Sequence, residues 1–217
     1  MYEGQWENDE RRGVGTMKFA DGSVYTGEWM DGKMQGTGKM TFATGAEYDG
    51  EWKEGKMEGI GKITFKSGAS YHGSIADCTK HGNGTYTTAE GSVYEGEWSN
   101  DEMTGQGTMA YSDGRVYEGG WLSGAKHDKG TCTYTNGSTY VGEWANDKRN
   151  GFGEMTYADG AKYEGQWKDG DYDGQGKYVW HDGDSYEGLW KAGKKHGHGT
   201  LNFESAGGEN KNLKDDP

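Results

Sequence analysis

Several segments imitate sites of phosphate or metal chemistry. Gly27 to Lys33, Gly50 to Lys56 and Gly188 to Lys194 each spell G-x-x-x-x-G-K, the spacing of a nucleotide-phosphate loop. Such a loop also needs a Ser or Thr hydroxyl on magnesium and a strand-to-helix transition, and Met34, Met57 and Lys195 stand at the hydroxyl position. Asp169, Asp171, Asp173 and Gly174 open like a calcium loop, but Trp180 occupies the place of the bidentate Glu, so the stretch reads as an acidic inter-strand loop. His72, His81, His127, His181, His196 and His198 are scattered, and no Cys or third His stands at ligand spacing from the last two. Asn83-Gly84-Thr85 and Asn136-Gly137-Ser138 match a glycosylation pattern and are better read as turns. No Ser/His/Asp or Cys/His nucleophile arrangement stands out. The sequence therefore offers no catalytic residue, no cofactor site and no metal site, and the chain reads as a non-enzyme.

The three glycine loops share an origin in a period of 23 residues. Tyr recurs at 2, 25, 48, 71, 94, 117, 140, 163 and 186 with no insertion between copies. Each Tyr opens a template such as Tyr25-Thr26-Gly27-Glu28-Trp29, followed by Gly32, Gly36, Gly38, Met40, Phe42 and Gly45. A fixed period decides the architecture before any local motif is weighed. Nine copies fill residues 1–203, and residues 204–217 are expected to form a flexible charged tail.

Within a copy the side chains alternate. Tyr25, Gly27 and Trp29 point one way and Thr26 and Glu28 the other; Gly38, Met40 and Phe42 alternate with Lys39 and Thr41. Period-two alternation predicts half-buried strands, two per copy, with Gly32 and Gly36 in the loop between them. Turns such as Ala20-Asp21-Gly22 and Ala158-Asp159-Gly160 lead to the next copy, because Asp-Gly supplies the positive φ of short connections. Gly27, between Tyr25 and Trp29, leaves a slot for a neighbouring ring. The expected fold is all-β: an elongated, single-layer, twisted antiparallel sheet of tandem hairpins, with an open groove lined by aromatics.

The pattern resembles the MORN repeat (membrane occupation and recognition nexus). It is carried by Tyr94-Glu95-Gly96-Glu97-Trp98 with Gly105-Gln106-Gly107, and by Tyr186-Glu187-Gly188-Leu189-Trp190 with Gly197-His198-Gly199. The resemblance implies a non-catalytic interaction scaffold in a cytoskeletal, ciliary or axonemal assembly. Alternatives it also brings are a membrane or phosphoinositide tether and a regulatory module of a larger enzyme complex.

Composition bears on these alternatives. Hydrophobic residues make up only 30% of the chain and Gly numbers 42, values that would suggest disorder without the period. Instead, 27 of the 29 aromatics fall in four columns of the repeat, Phe152 and Tyr172 being the exceptions. The net charge of -13 repels nucleic acid and anionic lipid, and only Lys191, Lys194 and Lys195 form a local basic cluster. Neither nucleic-acid binding nor membrane contact is expected. With no signal-like or membrane-spanning apolar run, the expected location is the cytoplasm. Cys78 and Cys132 lie two copies apart, about 20 Å by strand spacing, and are expected to be reduced thiols.

Two copies depart from the template. The fourth has Ile75 in place of Trp, Thr88 in place of Phe or Tyr and Cys78 in place of Gly; the sixth has Gly120 in place of Glu or Gln and Asp128 in place of Gly. A one-layer sheet is expected to leave its aromatic ladder exposed and open to a partner, an amphipathic helix or extended peptide. The docking groove is placed on Tyr94, Trp98, Tyr111, Tyr117, Trp121, Tyr134, Tyr140, Trp144 and Tyr157, after a fourth copy whose missing Trp and Phe would widen it. Unpaired edges near Tyr2 and Phe203 lead to the expectation of a homodimer.

Overall fold

The computed structural model describes residues 1–204; the tail expected at 204–217 lies outside it except for Glu204, which is exposed coil. The chain forms two units, Met1–Lys126 and the remainder from His127. The first contains β1 (Tyr2–Glu7), β2 (Glu10–Lys18), β3 (Val24–Met30), β4 (Lys33–Thr41), β5 (Glu47–Lys53), β6 (Lys56–Thr64), β7 (Ser70–Ala76), β8 (Thr79–Thr87), β9 (Val93–Ser99), β10 (Glu102–Ala110) and β11 (Val116–Leu122). The boundary falls in β12 (Ala125–Thr133). The second unit continues with β13 (Thr139–Ala145), β14 (Lys148–Thr156), β15 (Lys162–Lys168), β16 (Asp171–Val179), β17 (Ser185–Lys191) and β18 (Lys194–Asn202). In each unit consecutive strands pair antiparallel, and no helix occurs among the described residues.

Two turn types join the strands, each fitted to its residues. Inside a repeat the hairpin turns on two residues at positive φ, such as Asp31 at 48° with Gly32 at 73°, or Asn146 at 49° with Asp147 at 66°. That pairing of φ values matches the twist of the flanking strands and favours Asn, Asp and Gly. Between repeats the chain reverses through segments such as Ala20-Asp21-Gly22, closed by the Phe19 N–H donating to Ser23 O at 2.8 Å.

The second strand of each repeat is longer than the alternation suggests. Gly36 is not in a loop but inside β4, at φ 63°, where the register to β3 shifts and one residue bulges out. The same shift recurs at Gly50/Trp52 and Gly142/Trp144. Where the residue three positions after the Tyr is Glu or Gln, its side chain closes the bulge. Glu97 Oε1 accepts the Gln106 N–H at 2.8 Å, Glu143 accepts from Phe152 at 3.2 Å, and Gln166 accepts from Gln175 at 3.0 Å. An unpaired strand amide is costly, which accounts for Glu or Gln in that column.

Candidate functional site

The aromatic columns gather on one face of the sheet, built from a pair of glycines upward. Gly96 on β9 pairs with Gly107 on β10, and the Tyr94 phenol lies across both. A Cβ on Gly107 would sit 2.4 Å from the Tyr94 hydroxyl oxygen, so only glycine admits the ring. The hydroxyl then donates to Glu97 O at 3.1 Å. The Trp98 indole N–H donates to Gly84 O of the preceding repeat at 3.1 Å, and Trp121 does the same to Gly107 O. Trp121 wedges edge-on between two Tyr rings, 5.1 Å from Tyr117 and 5.3 Å from Tyr94, at interplanar angles above 80°. In the second unit Tyr140 and Trp144 repeat this contact at 5.1 Å, with Trp144 donating to Gly130 O at 3.2 Å.

This interlocking corrects the expectation of an open ladder. Tyr94, Tyr117 and Tyr140 are 0% exposed, and Trp98, Trp121 and Trp144 only 4–5%. Six of the nine expected groove residues are therefore core, filled by their own neighbours. Tyr111, Tyr134 and Tyr157, at the inter-repeat ends of their strands, stay half-buried and keep surface to offer.

A second layer, invisible in the alternation, covers the rings. The residue nine after each Tyr is Arg11, Met34, Met57, Lys80, Met103, Lys126, Arg149, Tyr172 or Lys195. Arg11 lies 4.4 Å from the centroid of Trp29, Lys80 4.6 Å from Trp98, and Arg149 4.2 Å from Trp167. Cations over ring faces gain from the ring quadrupole while their stems cover apolar surface. A column that is always a long cation, a Met or a Tyr was the signal for this cover.

The irregular fourth repeat is occupied as well. Ile75 is 2% exposed in the Trp position; Tyr86 reaches to 6.4 Å from Phe65 and 6.1 Å from Trp98, and Lys80 lies over Tyr71, Tyr86 and Trp98. In the sixth, Asp128 takes φ 56°, the backbone that Gly takes elsewhere in its column. Cys78 is exposed and Cys132 buried, and neither is in a disulfide.

Titration follows burial. Desolvation pushes the Tyr94 phenol up to about 12, with a smaller push from the Glu97 charge, and Tyr25 and Tyr71 rise similarly. Glu28 is held below the usual carboxylate range by the Thr37 N–H and hydroxyl. Among the described residues no cluster of three or more His, Cys, Asp or Glu could hold a metal. No helix there is long and apolar enough to cross a membrane.

A family model for the MORN repeat matches residues 2–24, 25–47, 48–70, 79–93, 94–114, 117–139, 140–162, 163–185 and 186–205. The fourth match begins only at Thr79, past Ile75 and Cys78. Among curated proteins no match was found. Similar solved structures include the G-box domain of the microcephaly protein CPAP, described with a suggested role in centriole elongation. It is 10% identical, with 89% of this chain and 100% of that one covered at a TM-score of 0.51. Another is the wild-type TCP10 domain of Danio rerio CPAP, 11% identical, with 81% and 83% covered at 0.45. A third is the TCP domain of Drosophila melanogaster SAS-4, in complex with a proline-rich motif of Ana2, 12% identical, with 88% and 90% covered at 0.42. At 10% identity the likeness to the G-box domain speaks for the sheet fold alone.

Proposed function

The chain belongs to the MORN-repeat family, and from that premise we propose that it is a non-catalytic scaffold that holds a peptide segment of a partner protein. One observation carries the reading: the glycine-slotted ladder is spent on the core, whereas the rim rings Tyr111 in the first unit, and Tyr134 and Tyr157 in the second, stay half-buried. Tyr is suited to such contacts because a rigid ring brings large area and a polar tip. The occupant is an extended or helical segment lying against the rim rings of one unit. The surrounding assembly is cytoskeletal or ciliary, on the strength of the family resemblance.

The test is capture from native extract, identification by mass spectrometry, and rebinding of the purified partner to variants. Tyr111→Ala, Tyr134→Ala or Tyr157→Ala should weaken rebinding by about 2 kcal/mol where the ring is a hot spot. Undiminished binding by all three, with native circular dichroism, removes the reading. Self-association through sheet edges is a separate part of the proposal, and a monomeric mass by light scattering at micromolar concentration counts against it.

A further inference from the structure

The second unit carries a cluster of rings outside the Tyr and Trp columns of the ladder. In the eighth repeat Tyr172 takes the place of the covering Arg, Lys or Met, Tyr178 stands where Met is usual, and Trp180 where Phe or Tyr is usual. Tyr172 stacks on Tyr163 at 3.7 Å and 18°, and its hydroxyl is hydrogen-bonded to that of Tyr157. Around it Tyr178 stands 6.0 Å from Tyr157, tilted by 40°, and 5.0 Å from Trp180, tilted by 55°. Tyr157, Tyr172, Tyr178 and Trp180 are all half-buried, so the cluster is a contiguous, partly open aromatic surface.

Its polar chemistry is one-sided. Ladder indoles such as Trp167 and Trp190 donate to glycine carbonyls at 3.0 Å, but the Trp180 indole N–H and the Tyr178 O–H make no hydrogen bond among the described residues. Lys195, 4.5 Å from the Trp180 ring, adds a further donor. The backbone beneath offers nothing, because β16 pairs with β15 and β17, and β17 with β18, so a strand cannot add there. The complementary ligand presents acceptors and flat apolar rings without needing acceptors from the sheet. A proline-rich segment in the polyproline II conformation has that chemistry: its prolines lack N–H groups, its carbonyls point outward, and its rings pack between tilted aromatics. Asp159, on the turn after Tyr157, acts on Tyr178 behind the larger effects of burial and of Tyr157, and Asp182 and Asp184 follow Trp180; these three acids outnumber Lys195, so a basic residue beside the prolines is matched.

Resting on the peptide-scaffold reading, we infer that Tyr157, Tyr172, Tyr178 and Trp180 form a docking site for a proline-rich, basic segment of a partner protein.

The probe is a synthetic peptide of consecutive prolines flanked by arginines, titrated into the full chain and followed by nitrogen–proton NMR of the indoles. Loss of one indole signal in Trp180→Phe assigns that residue. The proline peptide should move the Trp180 signal, and the same peptide with alanines for prolines should not. Trp180→Ala should weaken binding by roughly tenfold or more. Tyr178→Phe, which keeps the ring and removes the donor, should weaken it severalfold; it serves as the test should the larger truncation fail to fold. Asp159→Asn should weaken the arginine-flanked peptide but not an uncharged proline peptide. A Trp180 signal unmoved by the proline peptide overturns the inference, as does one moved equally by the alanine peptide or by a cello-oligosaccharide. If a captured partner still depends on Tyr111 or Tyr134 in that event, the scaffold reading stands and only the proline-rich assignment falls.

Discussion

Replacing Gly107 by Ala tests the account of why the rings are buried. Gly107 has no left-handed backbone requirement, so the substitution acts through space alone. The added methyl would lie 2.4 Å from the Tyr94 hydroxyl oxygen and 2.6 Å from two ring carbons. The ring cannot swing away, because Trp98 and Trp121 stand edge-on 5.3 Å to either side and Tyr94 is 0% exposed. Overpacking of this kind costs about 1–3 kcal/mol when neighbours shift. Expelling the ring would cost about 3–5 kcal/mol, the scale of an aromatic truncation. The expected loss is therefore about 3 kcal/mol. Because a repeat array need not unfold in one step, the readings are the urea midpoint by Trp fluorescence together with hydrogen exchange of β9 to β11 amides. Tyr94→Leu in the same molecule should recover at least about 1 kcal/mol relative to additivity, since the clash is with that ring. Stability within about 0.5 kcal/mol of the parent for Gly107→Ala would refute the slot argument.

Trp121→Ala, a ladder residue, should cost about 3–5 kcal/mol of stability, read by urea denaturation, whereas Tyr111→Ala at the rim should cost far less. Glu97→Ala removes the acceptor of the Gln106 amide and should cost about 1 kcal/mol by thermal unfolding, while Glu97→Gln should be tolerated because Gln166 fills that role in its own repeat. Alkaline stability follows from the buried phenols: Tyr25, Tyr71 and Tyr94 titrate at about 12 in the fold against 10.0 ordinarily. Their contribution is complete below pH 10 and is lost as the pH rises through about 12. Phenolate absorbance should lag until the sheet unfolds, and titration of these rings at their ordinary value with the sheet intact counts against it. Lys56→Ala, breaking the pair with Asp77 at 2.5 Å between side chains 61% and 78% exposed, should leave the urea unfolding midpoint where it is in the parent, because solvent screens so open a pair.

The period made the fold legible. Tyr every 23 residues, period-two alternation and Asp-Gly turns lead to paired hairpins. The family resemblance identified the same nine copies that the family model matches, the fourth of them only from Thr79 onward. What alternation could not give was strand length, because a bulge such as that at Gly36 resets the phase within a strand and mimics a loop.

The groove residues show a different limit. Alternation tells which residues share a face, and it placed Tyr94, Trp98, Tyr117, Trp121, Tyr140 and Trp144 together correctly. It carries no information about whether that face is filled. Filling is decided by the glycine pairs, which let a phenol lie flat against two strands, and by the column of Arg, Lys, Met and Tyr that lies over the indoles. Both depend on contacts between strands, which no single strand's pattern encodes. The same reasoning explains where surface survives. A ring stays available where its column leads to a turn, as at Tyr111, Tyr134 and Tyr157, or where an aromatic replaces the covering side chain, as Tyr172 does. A partner site on this fold is thus sought in departures from the template, because the residues that define the template are consumed in holding the sheet together.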